Sequence, residues 1–220
     1  VRMIAQKWQR AIGKSQKVLA SADDPFVVFA AANAGEVTYF SAQSAGHIDA
    51  TTCPKCGALL NWSNGGLEYS CECGFAKPKS DWSLIENKLV SSKDSQKKLS
   101  IKSSIPGAAA LQNSARALIV ADKFGIDLGI ANEAISKVKA VDGRFAVKNI
   151  GHTKFRLLLS KNPASWRETL ATSAQGPREV LLVVNANTQD GKDTSWLWDV
   201  DFKKLAGRQV LVTGDRRVDV

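Results

Sequence analysis

In the first half of the chain, apolar residues recur either at helical spacing or in short runs. These patterns predict one helix followed by short strands. A helical spacing over residues 2–13 ends near Gly13. Apolar or β-branched runs then predict five strands, at residues 17–21, 26–31, 37–41, 82–90 and 98–105. The last two flank a polar turn, so we expect them to form a hairpin. The first strand leads into an acidic turn, Asp23-Asp24-Pro25.

The second half begins with two predicted helices and continues with a regular alternation of strands and helices. Pro106-Gly107 opens a helix that runs to Gly125, and a second helix runs from Asp127 to Asp142. The elements predicted after them are a strand at 145–150, a strand at 156–160, a helix at 164–173, a strand at 179–185, a helix at 201–205 and a strand at 209–213. From residue 156 this is a βαβαβ order, which predicts a parallel sheet. Ligands gather at the carboxyl ends of such strands, here the loops that begin at Lys161, Asn185 and Gly214.

The composition is that of a globular protein with an excess of basic residues. Of the 220 residues, 44% are hydrophobic, and the longest apolar run, residues 180–184, has the length of a strand and cannot span a membrane. The formal net charge of +9 is compatible with nucleic acid, an anionic membrane surface or a phosphorylated substrate as partner. The basic residues are not interleaved with aromatic ones, so a solvated surface accounts for most of them.

All four cysteines lie close together in the sequence, as Cys53, Cys56, Cys71 and Cys73. Two thiolates separated by two residues can turn a tight knuckle and present both sulfurs to one tetrahedral ion, and the second pair has a one-residue spacer. Between the pairs, residues 58–70 contain an Asn-Gly-Gly turn and predict a β-hairpin. Gly57 and Gly74 can supply the left-handed backbone that each knuckle needs. The four cysteines are therefore predicted to bind a structural zinc ion.

Two disulfides are the alternative to a metal centre. They would suit a secreted protein, but no signal peptide is recognisable in these residues, and the reduced cysteines favour a cytoplasmic location. A catalytic zinc is disfavoured, because four thiolates leave no open position for water and His47 lies outside the knuckles. The ribbon has little apolar mass, so we expect it to be unfolded without its metal.

Three loops of the distal segment resemble the carboxy-terminal domain of MurT proteins. Their sequences are LSKNPA at 159–164, NANTQDGKDTSWLWD at 185–199 and VTGDRR at 212–217. The four-cysteine ribbon, with the unusual spacer in its last pair, is a second and independent mark of that family. MurT is the Mur-ligase-like subunit of lipid II isoglutaminyl synthase.

The resemblance implies an α/β fold in two parts. Residues 1–149 are similar to the later part of a Mur-ligase central ATPase domain, with the zinc ribbon inserted at about 50–76. Residues 150–220 are similar to the first half of a Rossmann-like Mur-ligase carboxy-terminal domain. The family's phosphate-binding loop, a glycine-rich turn ending in Lys-Thr/Ser, does not occur in these residues and is expected upstream of Val1. The chain is therefore expected to be a fragment that is inactive alone.

The activity implied by the resemblance is an ATP-dependent amidation in peptidoglycan biosynthesis. ATP with Mg²⁺ activates the α-carboxylate of D-glutamate in the lipid II stem peptide as an acyl phosphate, and ammonia then displaces phosphate. The ammonia comes from a partner, a glutamine amidotransferase of the GatD type with a cysteine nucleophile and a histidine base. Such a heterodimer would act in the bacterial cytoplasm, at the inner face of the membrane.

In this family, the MurT subunit supplies an aspartate that completes the cysteine–histidine pair of the glutaminase. Asp193 matches that aspartate in the Asp-Gly-x-Asp-Thr-Ser-Trp motif. A carboxylate that accepts the second N–H of the histidine fixes its tautomer and stabilises the imidazolium. The alternative is that Asp193 only caps a turn with Thr194 and Ser195. Asp190 and Asp199 are the nearest competitors for the catalytic role.

Two nucleotide-binding residues carry over from the same family. Asn113 matches the later asparagine of a helical motif that faces the adenine, whereas the earlier asparagine is Ala110 here. Ser21 likewise replaces the asparagine of a family turn, Asn-Ala-Asp-Asp-Pro. Arg144 matches a Gly-Arg pair whose guanidinium can reach ATP phosphate, and a salt bridge at the domain boundary is its alternative. The two replacements remove amides that can both donate and accept hydrogen bonds.

Other residues have weaker expected roles. Lys161 and Asn162 are expected to line the cleft between domains. The tryptophans Trp166, Trp196 and Trp198 are expected to be core or interface anchors.

Two other functions stay open from the sequence. A zinc-ribbon nucleic-acid-binding module would use the +9 charge, but Glu68 and Glu72 near the second cysteine pair argue against nucleic acid as a partner. A degenerate scaffold, which keeps a glutaminase-docking face without hydrolysing ATP, is suggested by Ala110 and Ser21.

Overall fold

A computed structural model describes residues 1–14, 16–46, 49–141, 144–186 and 193–220. The chain divides into two compact units. The first comprises Val1–Lys102 and Gln112–Glu133, and the second comprises Ser103–Leu111 and Ala134–Val220. In the described ranges, no helix combines the length and the apolar character needed to cross a membrane.

The first unit is built on a five-stranded mixed sheet. The elements up to its last strand are α1 (Arg2–Ala11), β1 (Lys17–Ser21), α2 (Pro25–Ala31), β2 (Glu36–Ser41), β3 (Asn61–Ser63), β4 (Glu68–Ser70), β5 (Trp82–Ile85), β6 (Lys88–Ser91) and β7 (Lys98–Ser100). They are followed by α3 (Ala108–Lys123), which belongs to this unit from Gln112 onward, and by α4 (Leu128–Ser136), which belongs to it up to Glu133. The strand order is β1-β2-β5-β6-β7, in which β1, β2 and β5 are parallel and β5, β6 and β7 are antiparallel. Strands β3 and β4 form a separate antiparallel hairpin.

The core of this unit combines the sheet with α3. Phe40 on β2 and Leu89 on β6 are fully buried, as are Leu118 and Ile119 on α3. The Arg116 guanidinium lies 5.2 Å from the centroid of the Phe40 ring, which places this face of α3 over β2.

Two of the predicted strands are wrong. Residues 26–31 form most of helix α2, because the Asp24 side chain accepts hydrogen bonds from Phe26 N and Val27 N at 2.8 and 3.3 Å, and Pro25 occupies the first turn. The predicted strand at 82–90 is two strands, β5 and β6, joined by a turn at Glu86 with φ of 55°.

The second unit contains two separate strand pairs. Its elements are β8 (Phe145–Ile150), β9 (Thr153–Leu158), α5 (Pro163–Ala174), β10 (Glu179–Val183) and β11 (Gln209–Thr213), with 3₁₀ turns at Ser195–Asp199, Phe202–Leu205 and Arg217–Asp219. Strands β10 and β11 are parallel, and their inner face packs with Trp166 and Leu170 of α5.

The prediction of one parallel βαβαβ sheet is wrong for the described residues. Strand β9 pairs antiparallel with β8, because a tight turn at Gly151, with φ of 58°, joins them as a hairpin. The helix predicted at 201–205 is a 3₁₀ turn, and α4 ends at Ser136, before the predicted limit at Asp142. Asp142 itself lies outside the described residues.

Candidate functional site

The four cysteines converge on one point, as their spacing predicts. Their sulfur atoms all lie within 4.8 Å of one another. Cys53 Sγ is 3.7 Å from Cys73 Sγ, and Cys56 Sγ is 3.5 Å from Cys71 Sγ. These separations are far longer than the roughly 2.05 Å of a disulfide, so the four residues are free thiols and the disulfide alternative is wrong.

The geometry and chemistry of this cluster suit one tetrahedral ion. A zinc–sulfur bond of about 2.3 Å gives a sulfur–sulfur edge of about 3.8 Å in a tetrahedron, close to the two distances above. The N–H of Ala58 donates to the Cys56 thiol and, with Cys71 beside it, lowers the pKa of Cys56 to about 7. The Cys73 N–H acts in the same direction on Cys71, but burial and the other three cysteines raise the pKa of that thiol to about 12, because clustered thiols do not all ionise without a cation. Four thiolates fill the coordination sphere of such an ion and leave no position for a reacting water.

The backbone around the cysteines has the form expected for two knuckles. Gly57 and Gly74 adopt φ values of 88° and 81°, which confirms their predicted left-handed backbone. Gly57 N donates to Cys53 O, and Gly74 N donates to Cys71 O, both at 2.9 Å. The hairpin of β3 and β4 joins the knuckles, as predicted. His47 lies outside the described residues. We call residues 51–77 the metal ribbon.

A second polar site lies at the carboxyl ends of β1 and β2, in the same unit. Its centre is Asp23, whose Oδ1 accepts from the Ser41 hydroxyl and whose Oδ2 accepts from Ala42 N, both at 2.7 Å. We call residues 21–25 and 41–46, which this carboxylate holds together, the strand-end loops.

Helix α3 contributes side chains to this second site. Gln112 Nε2 donates to the Ser44 hydroxyl at 3.3 Å. Asn113 is exposed, and its Oδ1 accepts from Arg116 Nη1 at 3.1 Å. Burial lowers the pKa of Arg116, while the nearby Asp23 carboxylate acts to raise it. Gln112 therefore contacts the strand-end loops, and Asn113 follows it on the helix that carries the predicted motif.

The other predicted nucleotide and cleft residues belong to the second unit. Arg144 directly precedes β8 and has an exposed side chain, and its carbonyl accepts from Leu159 N at 3.2 Å. Asn162 caps helix α5, because its Oδ1 accepts from Ser165 N at 2.9 Å. Lys161 is exposed and its N–H donates to the Ser165 hydroxyl at 2.9 Å.

Asp193 is exposed at the start of the 3₁₀ turn Ser195–Asp199. Its Oδ1 accepts from Ser195 N at 3.0 Å, and hydrogen bonds from the Ser195 hydroxyl and N–H lower the pKa of the carboxyl. Asp199 is exposed at the end of the same turn, while Asp190 lies outside the described residues. The side chain thus has the predicted turn-capping contact and is also open to the surface.

The three tryptophans divide between core and surface. Trp166 is buried, and Trp196 packs beside it with ring centroids 6.4 Å apart. Trp198 is 90% exposed and lies in the 3₁₀ turn Ser195–Asp199, five residues after Asp193 in the sequence. Trp166 is therefore a core residue, and Trp198 is available as an interface anchor.

Two charged residues near the Asp23 carboxylate were not predicted from the sequence. Lys77 and Arg116 are charged residues in runs without a motif, so only the fold brings them to the Asp23 carboxylate. Arg116 follows Gln112 and Asn113 by about one helical turn, and this spacing was the one indication in the sequence that it could contact them.

Known proteins resemble this chain over most of its length. Residues 159–220 match the family described as MurT ligase C-terminal. The lipid II isoglutaminyl synthase (glutamine-hydrolyzing) subunit MurT of Staphylococcus aureus (strain COL) is 27% identical, over 92% of this chain and 50% of that protein. The subunit of the same name from Streptococcus pneumoniae is 29% identical, over 72% of this chain and 38% of that protein.

A solved structure has the same fold. A pseudomurein peptide ligase type C from Methanothermus fervidus aligns with a TM-score of 0.62 and 23% identity, over 90% of this chain and 46% of that one. The prediction of a Mur-ligase-type α/β fold with a clustered four-cysteine ribbon is confirmed. The chain spans about half the length of the Staphylococcus relative that it matches. The chain is therefore MurT-like, with residues 159–220 matching the MurT ligase C-terminal family.

Proposed function

We propose that this chain is part of a MurT-type subunit of lipid II isoglutaminyl synthase. The observation that carries the proposal is the match of residues 159–220 to the MurT ligase C-terminal family, because this segment presents the exposed Asp193. The reaction is the amidation of the D-glutamate α-carboxylate in the lipid II stem peptide. ATP phosphorylates that carboxylate, and ammonia attacks the acyl phosphate and expels phosphate.

In this proposal Asp193 completes the catalytic set of a partner glutaminase of the GatD type. Its carboxylate accepts the free N–H of the partner's histidine, so the opposite ring nitrogen can take the proton of the nucleophilic cysteine. The carboxyl is exposed, so it is ionised at neutral pH as surface aspartates are, and the Ser195 hydrogen bonds lower its pKa further. A carboxylate has two oxygens and about four acceptor positions, so the bond to Ser195 N leaves room for a histidine. Capping the turn and serving the partner are therefore compatible roles.

The exposed Trp198 supports a docking surface next to Asp193. Exposure of 90% of an indole is unfavourable, because water must hydrate its apolar surface. Tryptophan is among the residues that are most enriched as anchors of protein interfaces. Trp198 lies in the 3₁₀ turn that begins two residues after Asp193, which suits a surface that seats a partner while the carboxylate enters its active site.

The metal ribbon is proposed to hold a structural zinc ion on Cys53, Cys56, Cys71 and Cys73. When bound, this ion would cross-link the two knuckles and would take no part in the reaction. The strand-end loops and Asn113, all in the first unit, are proposed to receive the adenine of ATP. Arg144, in the second unit, is kept as a proposed phosphate-binding residue.

A second candidate function is a scaffold that docks the glutaminase without hydrolysing ATP. Ala110 and Ser21 stand where the family has amides, and the Asn113 oxygen is engaged by Arg116. Hydrolysis of ATP by the reconstituted pair with lipid II and glutamine, measured as released phosphate, separates the two candidates.

The test of the proposed function is reconstitution with a GatD-type glutaminase. The protein should co-purify with that partner and raise its rate of glutamine hydrolysis. A partner that binds with no change in rate, or a protein that does not bind it, would refute the proposal.

A further inference from the structure

The metal ribbon and the strand-end loops are joined by a buried ion pair. Lys77 Nζ lies 3.0 Å from Asp23 Oδ1, and the two side chains are only 6% and 7% exposed. We propose that Lys77 is a positioning residue, through which the metal ribbon holds the strand-end loops in their binding conformation. This inference rests on the proposed function, which assigns nucleotide binding to those loops.

Lys77 is anchored in the ribbon while its charge reaches the loops. Its backbone N–H donates to Tyr69 O at 3.0 Å, and its Nζ donates to Leu67 O at 2.6 Å. The ammonium thus bridges a ribbon carbonyl and the Asp23 carboxylate, which itself orients Ser41 and Ala42. A shift of the ribbon backbone at Lys77 would therefore disturb the contact with the carboxylate that joins the two strand-end loops.

Two further contacts connect the ribbon with the same loops. The Tyr69 hydroxyl donates to Ala22 O at 3.1 Å in a buried position. Gly46 N donates to Gly66 O at 2.8 Å, and a Cβ at Gly46 would lie 2.8 Å from the Trp62 ring. The ribbon therefore contacts both loops directly.

The ribbon can hold these contacts only while its own fold is fixed. Tyr69 packs with Cys53 and Leu60 in a small cluster that includes the knuckles, and Lys77 follows the second knuckle closely. Such a cluster gains much of its folding free energy from bound metal. Loss of the metal should release Lys77 and leave the Asp23 carboxylate buried without its partner, which is strongly unfavourable.

Hydrogen exchange with mass spectrometry tests the inference without a nucleotide. The samples are the zinc-loaded protein, the same protein after chelation, and Lys77→Met. Lys102→Met is the matched control, because it removes an exposed lysine paired with Glu133 in the same unit. Peptides covering residues 21–25 and 41–46 report on the loops, and peptides covering β6 and β7 report on the sheet.

We expect exchange in the strand-end loops to become faster, on the order of tenfold, after chelation and in Lys77→Met. Exchange in β6 and β7 should stay unchanged, and Lys102→Met should match the wild type. Unchanged exchange in the loops of Lys77→Met would overturn the inference. If that variant also loosens β6 and β7, Lys77→Gln decides by the same criterion, because it removes the charge that pairs with Asp23 but keeps a polar side chain that can donate hydrogen bonds.

Calorimetry with ATP extends the test to binding. If Lys77→Met leaves the loops competent in about a tenth of the molecules, its ATP affinity falls about tenfold. A wild-type protein that binds no ATP would refute the proposed nucleotide role, whereas the exchange data would still decide the role of Lys77. Altered exchange with unaltered ATP affinity would overturn the link between Lys77 and binding.

Discussion

Lys77 and Asp23 form an ion pair with a nitrogen–oxygen distance of 3.0 Å, and both side chains are more than nine-tenths buried. One partner belongs to the metal ribbon and the other to the turn after β1. A buried pair of this kind stabilises a fold only weakly compared with apolar residues, but removing one partner is costly. The pair is therefore one of several contacts that join the metal ribbon to its unit, together with the bonds of Tyr69 to Ala22 and of Gly46 to Gly66.

Metal content is the first prediction. The purified protein should contain about one zinc ion per chain by elemental analysis, because four thiolates complete one tetrahedral site. Cys56→Ser should lose the ion and the ordered ribbon. Ser70→Ala, at an exposed position beside Cys71, should keep both. A well-folded wild-type protein without bound metal would contradict the structural role.

A backbone prediction concerns Gly214, at the end of β11. A Cβ at this position would lie 2.3 Å from Val184 O, and φ is 99°. Gly214→Ala should lower the free energy of unfolding by about 2–4 kcal/mol through strain and overpacking. Gly207→Ala is the control, because φ is 78° there but no atom lies within 4 Å of the added Cβ. It should cost only about 1–2 kcal/mol, measured by urea unfolding. Equal losses would show that the contact with Val184 is not limiting.

The metal centre could be predicted from the sequence, whereas the ion pair could not. The spacing of Cys53, Cys56, Cys71 and Cys73 is a local property of two knuckles, and Gly57 and Gly74 signal the turns directly. Lys77 and Asp23 have no local pattern, because their contact depends on where the ribbon lies on the sheet. Pairing between distant charges is set by tertiary structure.

The errors in the fold have physical causes of the same kind. The periodicity of a short apolar run such as residues 26–31 is compatible with a strand and with a helix. The segment is helical because Asp24 caps its N-terminus and Pro25 occupies the first turn. The hydrophobic pattern of β9 predicted a parallel strand. The tight turn at Gly151 instead places β9 directly after β8, so the two strands pair antiparallel. In both cases a turn residue outweighed the hydrophobic pattern.

The prediction for docking concerns Trp198. Trp198→Ala should weaken binding to the glutaminase by about 2 kcal/mol, about thirtyfold in the dissociation constant, if it is an interface anchor. The thermal midpoint of the isolated protein should not change, because the indole is 90% exposed. Trp166→Ala is the opposite case: its side chain is in the core, so the free energy of unfolding should fall by about 3–5 kcal/mol. Unchanged affinity in Trp198→Ala would place the partner elsewhere.

The glutaminase rate of the reconstituted pair with Asp193→Asn tests the central claim most directly. Asn keeps an oxygen that can accept from Ser195 N, so the turn and the complex should persist, as size-exclusion chromatography can verify. Without the carboxylate, the rate of glutamine hydrolysis should fall at least about a hundredfold. Asp199→Asn, an exposed carboxylate in the same turn, should keep the wild-type rate. Equal rates for the wild type and Asp193→Asn in an intact complex would contradict the account.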